Sequence, residues 1–286
     1  MNLVNETKFI MNKYNITASK ALGQNFLVDE EVVFGIVDQS EVNKEDLVIE
    51  IGPGLGTLTA VLLERAGKVV CIELDKRMVN IVTDRFSMYK NFEVINEDVL
   101  KVDLASIIEN NLKQNNLKRA KIVANLPYYI TTPIIMKLLE ERLNLESITV
   151  MVQKEVAERL AEKPGGKETG AITYSINYFS EPAIVINVPN TSFIPAPEVN
   201  SAVIKLMLLK EPKVKVINEK TLFRVIKVAF LQKRKTLLNA LHNGKILENK
   251  DQIEKMLNAL NIDIKARGET LTLEQFALIA DYIENI

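Results

Sequence analysis

The chain of 286 residues contains one cysteine and one histidine, and this scarcity excludes much chemistry at the outset. A disulfide needs two cysteines, so no covalent framework holds the fold and a reducing compartment is expected. Cys71 lies inside the apolar run VVCIELD, where a lone thiol acts as small core packing. With His242 the sole imidazole, most metal sites, Cys/His nucleophiles and histidine general bases drop out, and no metal is expected. Any chemistry must run on carboxylates, amides, backbone groups or a cofactor. Long apolar runs are missing too. The first fifteen residues, MNLVNETKFIMNKYN, hold no stretch of signal-peptide length, and nowhere do roughly eighteen uncharged apolar residues run together. The expectation is a soluble, cytoplasmic protein without a membrane partner. A net charge of -1 gives no overall electrostatic footprint for nucleic acid, so any such binding must use a local patch.

What is present is a core-forming chain, 47% hydrophobic, with a clear alternation of elements between about residues 47 and 155. LVIEIG precedes LTAVLLERA, KVVCIELD precedes KRMVNIVTDRF, and FEVINED leads into a helical stretch. AKIVANLP then precedes TPIIMKLLEER, and ITVMVQ precedes KEVAERLAEK. Near-continuous Val/Ile runs separated by helical patterns mean parallel strands covered on both faces, a doubly wound α/β sheet. After the breaker-rich EKPGGKETG, the runs AIVINVP and SAVIKLMLL add two strands, making seven. Beyond Lys210 helical periodicity continues with no strand between, which places a sheet domain at 1–210 and a small C-terminal helical domain at 211–286.

EIGPGLGTLT sits where the first of these strands turns into a helix, so Gly52, Gly54 and Gly56 let the backbone approach a ligand. The third glycine comes one residue too early for a dinucleotide fingerprint, and the Walker lysine is absent. Glu73, at the end of the second strand, follows Gly52 by about the twenty residues expected of an acid that binds ribose hydroxyls. Asp98 occupies the equivalent end of the third strand and suits an adenine amino group. Taken singly each acid is a solvated strand end. Together they describe a cofactor with adenosine but no pyrophosphate, and S-adenosylmethionine meets that description.

The fourth strand ends in NLPYY. An exocyclic adenine amine is a poor nucleophile because its lone pair is conjugated into the ring, so an enzyme that methylates it must hold it with acceptors aimed at its hydrogens. Asn125 offers a side-chain oxygen, the carbonyl of Leu126 a second, and Tyr128 a face on which the base stacks. Phe193, in the loop TSFIPAPEVNSAV, is a candidate for the opposite face or else a hydrophobic plug. No strong base is required, because the nitrogen becomes acidic only after it carries the methyl group.

SKALGQNFLVD, EIGPGLGTLT, IELD, NEDVL, NLPYYITTPII, FIPAPEVNSAVIKL and RKTLLNAL occur in this order over nearly the whole chain. In these motifs the sequence resembles the ribosomal RNA adenine N6-dimethyltransferases of the bacterial small-subunit (KsgA, RsmA) type. The resemblance implies a Rossmann-like methyltransferase sheet, mostly parallel, whose last strand is antiparallel. It also implies an S-adenosylmethionine site touched by Asn25, Leu27, Gly52, Gly54, Glu73, Asp98 and Asn125. The implied substrate is two adjacent adenines in the hairpin loop near the 3' end of 16S rRNA, within the assembling small ribosomal subunit. A large-subunit 23S rRNA adenine methyltransferase and a non-catalytic assembly factor are the alternative readings, and a monomer is the default expectation. The candidate RNA-binding patch is Lys233, Arg234 and Lys235, read as lying on a helix, with Lys8, Lys13, Lys20 and the LKRAK run at 117–121 as possible extensions. Replacing Lys233, Arg234 and Lys235 together by alanine should weaken RNA binding and make the log–log salt dependence shallower by about 2. An unchanged slope in a filter-binding titration across salt concentrations would remove this patch from the interface.

Overall fold

The computed structural model describes every residue except Met1, Lys20, Ala21, Lys167, Glu168 and Lys233. In chain order its strands are β1 (Phe26–Leu27), β2 (Asp46–Ile51), β3 (Lys68–Glu73), β4 (Phe92–Asn96), β5 (Arg119–Asn125), β6 (Ser147–Gln153), β7 (Ser180–Val188), β8 (Phe193–Ile194) and β9 (Ser201–Leu208). The helices of the first part are α1 (Leu3–Lys13), α2 (Glu30–Gln39), α3 (Thr57–Arg65), α4 (Lys76–Phe86), α5 (Leu104–Gln114) and α6 (Thr131–Glu140). Later come α7 (Lys154–Ala161), α8 (Ala171–Phe179), α9 (Glu219–Leu231), α10 (Leu237–Asn243), α11 (Lys250–Ala259) and α12 (Leu273–Glu284).

Seven strands form one sheet in the order β4-β3-β2-β5-β6-β9-β7. β2 pairs in parallel with both β3 and β5, and β5 with β6, while β9 runs antiparallel to β6 from Ser147↔Met207 to Gln153↔Ser201. The doubly wound sheet with its antiparallel late strand matches the sequence expectation. β2 is buried at every position, as a central strand covered on both faces must be, whereas edge strand β4 has no fully buried position. Strand order reverses between β2 and β5, so the adjacent loops leave the sheet in opposite directions and open a crevice at the carboxyl ends of these two strands. Short polar caps launch the helices around it: Asp75 accepts the Arg77 N–H at the start of α4, and Asp103 accepts the Ser106 N–H at the start of α5.

Two compact units divide the chain, Met1–Glu158 with Pro182–Leu208, and Arg159–Glu181 with Leu209–Ile286. The sequence boundary near 210 had left residues 159–181 with the sheet. In the structure α8 packs within the second unit. Tyr174 donates a 2.6 Å hydrogen bond to the Leu271 carbonyl and sets its ring edge-on to Phe276, while Tyr178 packs edge-on to Phe223. The run AITYSINYF is apolar enough to be buried from Thr173 to Phe179. Its periodicity reports burial, but not which helices supply the cover.

At the amino ends of the strands lies a buried ion cluster. Lys121, 2% exposed, sends its Nζ to Asp46 Oδ2 and Glu146 Oε2, each at 3.1 Å, and to the Glu41 carbonyl at 2.7 Å. Arg119 adds a 2.8 Å contact to Asp46 Oδ1, and Lys118 pairs with Glu45. The cluster takes Lys121 out of the LKRAK extension of the RNA patch, because its side chain is in the interior, while Lys118 and Arg119 stay partly exposed beside Glu45 and Asp46. Lys13 is likewise paired with Asp84, whereas Lys8 is exposed; Lys20 lies outside the described residues. Removing one partner of a buried ion pair leaves uncompensated charge, so Lys121→Ala should cost about 3–5 kcal/mol of unfolding free energy in urea titrations. A cost under about 1 kcal/mol would mean that the cluster does not clamp the strand ends.

Candidate functional site

A crevice opens where the topology requires it, lined by the turns after β2, β3 and β5, by Asp98 just beyond β4 and by residues 22–27 of the N-terminal segment. The β2–α3 turn carries Gly52, Gly54 and Gly56 at φ +70°, +56° and +84°. A side chain at Gly52 would be strained by that backbone, although nothing nearer than 3.9 Å crowds it, so its role is conformation and open access to the crevice. Gly56 is different. A Cβ there would lie 2.5 Å from the ring of Phe86, and Gly56 is also the left-handed N-cap of α3. The early third glycine is therefore a helix-start and close-packing glycine, which explains why the spacing departs from a dinucleotide loop.

Glu73 ends β3 and is 8% exposed. Its Oε1 accepts the Asp75 N–H at 2.8 Å and its Oε2 the Gly54 N–H at 3.3 Å, so one carboxylate ties the glycine turn to the β3–α4 turn. Burial raises its pKa, opposed by these backbone donors. Asp98 is half-buried on the crevice wall, with Oδ1 accepting the Leu100 N–H at 3.0 Å. Asn125 closes β5; its Nδ2 donates to the Asn25 carbonyl at 3.4 Å, and no donor among the described residues engages its Oδ1. Asn25 and Leu27 line the same crevice, Leu27 with its side chain in the core beneath. The Leu126 side chain is buried while its N–H donates to the Met151 carbonyl, so only its backbone is available to a ligand.

Pro127 leads into a single 3-10 turn, Tyr128–Ile130, that puts both tyrosines on the crevice lining. Tyr128 is half-buried, its hydroxyl 2.5 Å from Ser201 Oγ, and Tyr129 stands at the rim, 56% exposed, against Gly23. Phe193 is not with them. It is 3% exposed, pairs with Leu27 across the β1–β8 ladder and belongs to the sheet core, so the structure makes it the plug and not a second stacking face. Arg234 and Lys235 are exposed, but lie in the turn between α9 and α10, not on a helix, because Thr236 caps α10 afresh by accepting the Asn239 N–H. Lys233 lies outside the described residues.

Sequence reasoning missed Glu50, Gln24 and Tyr129. Glu50 faces the crevice from β2, 2% exposed, and its Oε2 accepts from the Thr59 hydroxyl at 2.6 Å and from Cys71 Sγ at 3.4 Å. A lone acid inside the otherwise apolar LVIEI was the available signal. Gln24 joins the N-terminal segment to α4, donating from Nε2 to Asp75 Oδ2 at 3.1 Å and accepting the Ser19 N–H. Nothing in its spacing announces that link. Among the described residues no helix is long and apolar enough to cross a membrane.

Residues 15–285 match the family model described as ribosomal RNA adenine dimethylase. The chain is 47% identical over 276 residues to ribosomal RNA small subunit methyltransferase A of Alkaliphilus oremlandii, covering 96% of this chain and 95% of that protein. It is 48% identical to the protein of the same name from Bacillus licheniformis, with 98% and 96% covered. The solved structure of a dimethyladenosine transferase from Plasmodium falciparum superposes with a TM-score of 0.74 at 26% identity, covering 89% of this chain and 95% of that one.

Burial lifts the Glu50 carboxyl to a pKa of about 7, against the weaker pull of its Thr59 and Cys71 donors. A raised folded-state pKa means that the folded chain holds the proton more tightly than the unfolded chain. Glu50 therefore contributes stability that is complete below its unfolded value near 4.5 and is lost as pH rises through about 7. Relative to Glu50→Gln, the wild type should lose about 3 kcal/mol of unfolding free energy between pH 4 and pH 8. Parallel denaturant titrations of the two proteins across that range check this, and a pH-independent difference would contradict it.

Proposed function

The chain belongs to the ribosomal RNA adenine dimethylase family, and from that premise we propose that it adds two methyl groups from S-adenosylmethionine to N6 of each of two adjacent adenines in the 3'-terminal hairpin loop of 16S rRNA. The reaction takes place in the cytoplasm on the assembling small subunit, with the enzyme acting as a monomer. The small-subunit assignment draws on the relatives at 47% and 48% identity, both named small subunit methyltransferases. One observation carries the chemistry: the glycine turn, Glu73, Asp98 and the Asn125–Tyr128 turn all line one crevice.

The residues present fit the cofactor. In this reading Glu73, whose carboxylate lies beside the glycine turn, binds the ribose hydroxyls, and Asp98, on the crevice wall, binds the adenine amino group. Gly52 and Gly54 keep side chains out of the approach, and Asn25 and Leu27 close the N-terminal side. When bound, the cofactor supplies a methyl group on a sulfonium, already an activated leaving group. The protein's task is then positioning and electrostatics. Asn125 Oδ1, which no donor among the described residues engages, accepts one hydrogen of the target amine, and the Leu126 carbonyl accepts the other. Both draw the nitrogen lone pair out of conjugation with the ring. Tyr128 stacks on the extruded base. Neither acceptor needs to take the proton in the transition state, because the nitrogen sheds it to water once methylated. Arg234 and Lys235, with Lys233, hold RNA phosphates.

Labelled-methyl transfer offered in parallel to undermethylated small subunits, naked large-subunit RNA and duplex DNA should yield dimethyladenosine from the first alone. Transfer only to large-subunit RNA or DNA would overturn the substrate assignment. Asn125→Ala should lower kcat by about 10²-fold or more while leaving cofactor affinity within a few-fold, whereas Glu73→Ala should mainly weaken the cofactor. Full activity in Asn125→Ala would end the amine-acceptor mechanism.

A further inference from the structure

β9 runs antiparallel to its neighbour β6, so its first residue, not its last, reaches the carboxyl edge of the sheet where the crevice lies. That residue is Ser201, opposite Gln153 of β6 and wholly without solvent exposure. An interior hydroxyl requires a partner, and Ser201 Oγ has one in the Tyr128 hydroxyl, 2.5 Å away. The backbone around it is braced on both sides: the Asn200 carbonyl accepts the Lys154 N–H at 3.0 Å, and Asn200 Oδ1 accepts the Asn190 N–H at 3.0 Å.

Tyr128 is anchored at its other end as well. Pro127 sets the entry to the turn, and the Pro127 carbonyl accepts from the Ile130 N–H and from the Thr131 hydroxyl at 3.1 Å. With the backbone held below and the phenolic oxygen tied above, rotation about both side-chain bonds is restricted and the plane of the ring is set. A phenylalanine at this position would keep the stacking face and lose the upper tie.

We propose that Ser201 is a positioning residue for methyl transfer: its hydroxyl holds the Tyr128 ring in the plane against which the target adenine stacks. This rests on the reading of Tyr128 as the base platform. It assigns a function to the reversed strand itself, since a parallel strand in the same slot would bring its carboxyl end to the crevice instead.

The test compares wild type with Ser201→Ala, Tyr128→Phe, the double variant and Ser201→Thr, using undermethylated small subunits and S-adenosylmethionine. Wild-type transfer to that substrate tests the functional reading independently of any variant. If it holds, Ser201→Ala and Tyr128→Phe should each lower kcat by about 2- to 10-fold with KM for the cofactor little changed. The thermal midpoint should hold in Ser201→Ala, where the half-buried Tyr128 hydroxyl can turn to water, and fall in Tyr128→Phe, which leaves the buried Ser201 hydroxyl unpaired. Because both remove the same hydrogen bond, the double variant should be no slower than the slower single variant, and Ser201→Thr should restore most of the rate. Wild-type kcat in Ser201→Ala, effects that multiply in the double variant, or a loss in Ser201→Ala matched by a fallen thermal midpoint would each overturn the proposal.

Discussion

Everything at the crevice depends on the carboxyl ends of β2, β3 and β5 being held level. Parallel strands have evenly spaced, slanted hydrogen bonds and no hairpin to set their register, so their alignment has to come from burial and from fixed points at the strand ends. Burial is supplied by the apolar runs, since β2 has no exposed position. The fixed point at the amino edge is Lys121, whose ammonium engages the acid that starts β2, an acid just before β6 and a carbonyl of the α2–β2 turn. A one-residue slip of β5 would turn Lys121 toward the opposite face and move Asn125 away from the crevice with it. The ion cluster far from the chemistry thus constrains where the chemistry is possible.

At the carboxyl edge the corresponding device is Glu73. Its two oxygens bind the N–H groups of Gly54 and Asp75, so the glycine turn and the start of α4 are fixed by one side chain. Asp75 extends the chain of contacts, since it also receives Gln24 from the N-terminal segment and pairs with Arg77. Arg77 is the main reason that Asp75 titrates below an ordinary carboxylate, and a firmly ionised Asp75 is a dependable acceptor for Gln24. The segment that carries Asn25 is therefore docked by polar contacts, and by the apolar cluster of Ile10, Ile16, Phe26 and Leu55.

Much of this was legible in the sequence because the signals are local. Positive-φ turns demand glycine, continuous Val/Ile runs demand two-sided burial, and a strand that ends in an amide, a proline and two tyrosines has no purely structural economy. Where the reading went astray, the deciding contact lay far away along the chain. Phe193 looked like a second stacking ring because its loop is stiff and its motif suggestive, but whether it faces the crevice or the core is settled by pairing with Leu27, 166 positions earlier. The LKRAK run has the composition of a phosphate-binding patch, yet its acids are Glu45, Asp46 and Glu146, each from another segment. Arg234 and Lys235 sit within a helical periodicity that the Thr236 cap interrupts, a break visible only as a single threonine.

The crevice also pairs two acids with different degrees of burial. Glu50 is buried, its partners among the described residues are a hydroxyl and a thiol, and burial raises its pKa to about 7. Glu73, one strand over, is also raised by burial but receives two backbone N–H donors, which favour its ionised form. The difference follows from the donors: amide dipoles at a strand end compensate an anion, whereas one hydroxyl and a weak thiol do not. Two nearby carboxylates also repel, so keeping one protonated limits the charge that must be desolvated in a narrow space. A ligand that brings positive charge into such a site supplies the missing compensation and draws Glu50 toward ionisation, while a neutral or anionic ligand does not. Among its described lining residues the crevice has Glu50, Glu73, Glu97 and Asp98 and no lysine or arginine, a balance that suits a ligand bearing a positive centre such as a sulfonium.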